Sequence, residues 1–141
     1  MHSFQRLIDE HRAILARAKT LADRCDGRAD PDAAHAALRA LADDLAAHLA
    51  TEDRDIYPRL MLSGDEGAAS AARDAIVRFD TLAGDWLIYE ARWTRRAILA
   101  DREGFATETR ELIARLEARI SVENELLYPM ALRGAHITLR G

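Results

Sequence analysis

Two short stretches hold the residues of this chain best placed to do chemistry. His48 and Glu52 stand four apart in HLATEDRDIYP, and Arg119 and Glu123 stand four apart in RISVENELLYP. Four residues is just over one helical turn, so each pair projects from one face of a helix. The stretches align at an offset of 71, matching Leu41, Leu45, His48, Glu52, Ile56, Tyr57 and Pro58 with Leu112, Leu116, Arg119, Glu123, Leu127, Tyr128 and Pro129. Such a repeat implies two helix pairs packed around a common centre. His11 falls in the gap of an apolar series near the start of the chain and points into the core. Two imidazoles and two carboxylates form a donor set for one divalent ion, iron, zinc or manganese. Without an ion, His11, His48, Glu52, Arg119 and Glu123 form a buried polar network.

The elements that must position these groups follow from hydrophobic spacing. Ser3 can cap a first helix that buries Phe4, Leu7, Ile8, Ile14, Leu15, Ala18, Leu21, Ala22 and Cys25, with Asp26-Gly27 as its stop. Asp30-Pro31 restarts the chain as an N-cap acid followed by proline. The second helix carries Leu38, Leu41, Leu45, His48, Glu52 and Ile56 to about Leu62, with a kink expected at Pro58. A third helix from Ala68 is expected to bury Ile76, Phe79, Ala83, Trp86, Glu90, Trp93 and Ala97. Asp101 to Gly104 reads as a turn. The fourth helix aligns Phe105, Leu112, Leu116, Arg119, Glu123, Leu127 and Met130 and frays near Gly134, leaving a short tail. This is an all-α, up-down-up-down antiparallel four-helix bundle, one domain over residues 1–141. In that topology the start of helix one and the end of helix two share a level with the start of helix three and the end of helix four. His11, His48, Glu52, Arg119 and Glu123 therefore converge in one layer, and Glu90 lies about three turns away.

Composition narrows the function. Of 141 residues, 49% are hydrophobic and 31% charged, with 28 alanines against two valines, a balance that excludes a β-rich fold. Net charge is −4, and no basic stripe marks a nucleic-acid footprint. No apolar run reaches the roughly 20 residues of a membrane span, and the N-terminus lacks the apolar stretch of a secretory signal. The one cysteine, Cys25, fits a reducing cytoplasm and reads as a small hydrophobe near a helix end. No nucleophile with its base, phosphate-cradling loop or cofactor fingerprint appears, so the chain reads as a non-enzyme.

The stretches LIDEHRAIL around His11, HLATEDRDIYP, and ENELLYP around Glu123 resemble the hemerythrin-like HHE cation-binding domains. The resemblance covers nearly the whole chain. It implies a four-helix bundle of the kind that usually holds two irons and binds oxygen, or senses oxygen, iron or redox state. By position, His11, His48, Glu52 and Glu123 correspond to family metal ligands. The chain also departs from the pattern. No histidine occurs between His48 and His136, so helix three offers none, and Arg119 stands where helix four should carry one. An intact five-histidine di-iron centre is not assembled from this sequence. The expected site is degenerate, with one divalent ion (iron first, zinc or manganese as alternatives) or none, and the Arg119 guanidinium supplies charge to Glu52 and Glu123. The expected role is non-catalytic metal binding, sensing or regulation; open coordination positions leave iron-dependent oxidase or peroxidase chemistry as the catalytic option. The alternative is a metal-free bundle that binds an unknown protein partner. Exposure of Trp86, Tyr89, Trp93 and Phe105 would mark its interface. Over one helix, LEARISVENELL is similar to the helical regulator of sigma D proteins, which implies a partner of the sigma-factor class.

Overall fold

Helix formers dominate the chain, and helices are what form. A computed structural model describes residues 4–25 and 30–133. Helices α1 (Phe4–Arg24) and α2 (Pro31–Thr51) form the first pair, and a short α3 (Tyr57–Met61) extends the second. The third arm comprises α4 (Glu66–Phe79), α5 (Leu82–Arg92) and α6 (Arg95–Ala100), and the fourth is α7 (Arg102–Val122), with residues 128–133 helical beyond it. No strand occurs among the described residues, and the fold is the expected all-α bundle.

Local chemistry explains the boundaries. The Asp30 side chain accepts from the Asp32 N–H, with Pro31 at the first helical position. Asp65 caps α4 by accepting from the Gly67 and Ala68 N–H groups, after Gly64 turns the chain at φ 82°. Ser3, Asp26-Gly27, Gly134 and the tail lie outside the described residues.

The expected turn at Asp101 to Gly104 is instead a helix start, because the Asp101 carboxylate accepts from the Gly104 N–H. A Cβ at Gly104 would run into that carboxylate.

The third arm differs most from its expected form. It breaks after Phe79 and again at Trp93, whose backbone (φ −95°, ψ 74°) leaves the helix so that Thr94 can cap α6. Each break resets the helical phase. Ala75, Phe79, Leu82, Trp86, Tyr89, Trp93 and Ile98 are buried, whereas Ile76 is exposed and Ala83, Glu90 and Ala97 are only half-buried. Glu90 pairs with Arg39 at 3.6 Å. Trp86, Tyr89, Trp93 and Phe105 are all buried and pack ring on ring, so they form core and present no interface.

Two apolar clusters fill the bundle. The larger runs from Ile14 and Leu21 through Leu38 and Leu45 to Trp86, Phe105 and Leu116. The smaller gathers Leu7, Ile56, Tyr57, Leu60, Phe79, Leu127 and Tyr128 at the other end. Along α1, α2 and α7, the polar residues His11, His48 and Arg119 fall at the boundary between them.

Candidate metal centre

The repeat is built into the backbone. Glu52–Ile56 and Glu123–Leu127 are π-helical turns, in which the N–H of Tyr57 bonds to Glu52 O and that of Tyr128 to Glu123 O. Pro58 and Pro129 explain the position of these turns. Each lacks an N–H, and in a continuous α-helix its ring would press on the carbonyl four residues back. A wider turn relieves that contact, so a local insertion precedes each proline. In a π turn, the fifth residue rather than the fourth comes back over the same face. Tyr57 and Tyr128 are thereby turned inward, above Glu52 and Glu123.

Seven side chains meet in the polar layer: His11, His48, Glu52, Tyr57, Arg119, Glu123 and Tyr128. His11, His48, Glu52 and Glu123 are at most 3% exposed, and one ligand atom from each lies within 4.8 Å of all the others. His11 Nε2 stands 3.1 Å from Glu123 Oε1, and His48 Nε2 stands 3.2 Å from Glu52 Oε1. Each imidazole has its other nitrogen on an acceptor outside the cluster. His11 Nδ1 donates to Asn124 Oδ1 at 2.7 Å, and His48 Nδ1 donates to Glu10 Oε1 at 2.8 Å. The tyrosines cross between repeats. Tyr57 Oη donates to Glu123 Oε2 at 2.8 Å, and Tyr128 Oη donates to Glu52 Oε2 at 2.5 Å. Arg119 Nε donates to Glu123 Oε2 at 2.9 Å, while its Nη2 reaches Glu52 Oε1 at 3.4 Å and Asp53 Oδ1 at 3.3 Å.

Burial and charge act against each other in this layer. Burial alone would lower the His11 pKa, but hydrogen bonds and charge from Glu123 and Glu52 raise it to about 9. His48 is likewise lowered by burial but raised overall, chiefly by Glu52 and Glu10. Burial would raise the carboxyl pKa of Glu52, yet His11 and His48 hold it well below its ordinary value. Burial and the neighbouring charge of Glu52 push Glu123 upward. Without an ion, the layer keeps its charges by pairing them.

The chain matches the hemerythrin HHE cation-binding domain over residues 2–131. It belongs to that family. No curated protein and no solved structure matches it. Hemerythrin HHE domains bind cations, and the donor set of this member fits one. Donor atoms around a tetrahedral ion with bonds near 2.1 Å lie about 3.4 Å apart, close to the His–Glu separations in the layer. In addition, His48 Nε2 and Glu123 Oε1 are buried and make no well-aligned hydrogen bond, although each faces an oppositely charged group at 3.1–3.2 Å, and coordination would give both a directed bond.

The four residues singled out by spacing converge, and Arg119 faces their carboxylates as expected. Helix three contributes no ligand: Asp80 is exposed and lies outside the cluster, while Phe79 is apolar core. Sequence reasoning missed Glu10, Asn124 and Asp53. All three stand next to a site residue and off its apolar stripe, so periodicity gave no signal for them. The two tyrosines did carry a signal, as the residues preceding the paired prolines.

Proposed function

We propose that this hemerythrin HHE domain binds a single divalent ion through His11 Nε2, His48 Nε2, Glu52 and Glu123, and serves as a sensing or regulatory protein without catalytic turnover. The observation that carries this reading is the orientation of the imidazoles. Each Nδ1–H is held by an acceptor outside the cluster, which turns Nε2 inward, toward the carboxylates. Metal-ligating histidines are held in this way. Iron is the first candidate, with zinc and manganese as alternatives; a bound ion would supply Lewis acidity and, if iron, redox sensitivity. The chain orients the four donors and keeps bulk water from them, since none is more than 3% exposed. The site is degenerate because helix three adds no ligand and Arg119 takes the place of a histidine. Among the described residues, no helix is long and apolar enough to cross a membrane. The buried, unpaired Cys25 supports a reducing, cytoplasmic setting.

A second reading, a metal-free module for an unidentified protein partner, draws on the contacts of Arg119 to both buried carboxylates. Elemental analysis of untagged protein from iron-, zinc- and manganese-supplemented cultures separates the two. About one ion per chain is expected, and His48→Ala or Glu52→Gln should abolish it. A folded wild-type chain without metal would favour the partner module.

A further inference from the structure

Arg119 is a buried cation that faces three carboxylates at once. Glu52 Oε1, Asp53 Oδ1 and Glu123 Oε2 lie 2.9 to 3.4 Å from its guanidinium nitrogens. These oxygens come from two arms of the bundle, and two of the three side chains are at most 1% exposed. Glu123 is divided between neighbours, with Oε1 toward His11 and Oε2 toward Arg119, so it joins the histidine side of the layer to the guanidinium side. The guanidinium side is also the open one. A cleft of about 240 Å³, lined by Asp53, Tyr57, Phe79, Asp80 and Ala83 among others, reaches Arg119 itself. Asp53 stands at the solvent edge of this trio, with its side chain 61% exposed.

We propose that Glu52, Asp53 and Glu123 form a second cation site, reached from solvent through this cleft, which the chain fills with its own Arg119 guanidinium and so limits itself to one exogenous ion. Three carboxylates around one position are a hard-oxygen donor set suited to manganese or magnesium. A tethered guanidinium competes for that position at no cost in association, and its planar fork matches two carboxylates at once. Arg119 is therefore a determinant of how many ions the centre takes. The count of two sites rests on the one-ion reading above; the three-carboxylate site does not.

The test is Mn²⁺ binding to the full chain, followed by EPR and elemental analysis, for wild type, Arg119→Ala and the double variant Arg119→Ala/Asp53→Ala. Arg119→Ala should bind one ion more than wild type. Asp53→Ala in that background should weaken the added ion by about tenfold or more, and methylguanidinium should compete with it. If Arg119→Ala is unfolded by its unpaired carboxylates, Mn²⁺ or methylguanidinium should restore its helical circular dichroism; failure of both overturns the proposal. A folded Arg119→Ala chain with the wild-type ion count also overturns it, as does an added ion indifferent to Asp53. A wild type with no ion, beside an Arg119→Ala chain that binds one in an Asp53-dependent way, would sink the one-ion reading and leave this site standing.

Discussion

Each buried carboxylate in the layer serves several partners, and the division of its oxygens decides what the site can hold. Glu52 gives Oε2 to the Tyr128 hydroxyl and directs Oε1 toward His48 and Arg119. Tyr128 also stacks on His11, with centroids 5.1 Å apart and planes 9° from parallel, and its hydroxyl lies 3.1 Å from His11 Nε2. Tyr128→Phe keeps the stacking ring and removes only the hydroxyl. In the metal-free protein the loss of a hydrogen bond to a charged group should cost about 1.5–3 kcal/mol, read from denaturant unfolding. Ion affinity should fall by about tenfold because Glu52 is no longer pinned. Unchanged affinity by Mn²⁺ titration would show that Tyr128 does not position Glu52.

At the scale of elements, helix ends and π turns do most of the placing. The paired prolines and the π turns before them set Tyr57 and Tyr128 over the opposite repeat's glutamate. At the other end of the bundle, Cys25 closes α1 against the larger apolar cluster and is 3% exposed. Burial raises its thiol pKa above the ordinary 9.0, against smaller lowering effects from Thr109 and Arg110. The unfolded chain therefore ionises first as pH rises. Stability from this group is intact below pH 9 and declines above it. At pH 8, a thiolate-directed reagent should label native protein only as fast as α1 opens, and denatured protein at once. Rapid labelling of the native chain would contradict the packing of this helix end.

The whole molecule divides into two apolar clusters with the polar layer at their boundary. The larger cluster includes Phe105, 1% exposed and packed with Tyr89 and Trp93. Phe105→Ala should destabilise the fold by about 3–5 kcal/mol through the cavity it leaves. Its ion content per folded chain should match wild type, because the layer draws its groups from the opposite ends of these helices. Calorimetry and elemental analysis of the same sample would check both halves. Loss of metal from a still-folded variant would mean that the far core also shapes the site.

The sequence by itself determined the helical class, the arm boundary at Asp30-Pro31, and the convergence of His11, His48, Glu52, Arg119 and Glu123. These follow from local chemistry and from a period of 3.6 residues, both of which are written residue by residue. The matching HxxxE and RxxxE spacings made the centre legible, because four residues bring two side chains to one helix face. The phase of the third arm was not legible. Two breaks within it, at Phe79 and Trp93, reset the count, so Tyr89 and Ile98 are buried in place of Glu90 and Ala97. Only the tertiary structure decided the partners that give the site its chemistry. Glu10 and Asn124 hold the imidazoles from outside the apolar stripes, each tyrosine serves the glutamate of the other repeat, and Asp53 joins Arg119 at the mouth of a cleft. Such contacts depend on how separate helices are rotated and stacked against one another, and no spacing within a single helix records that.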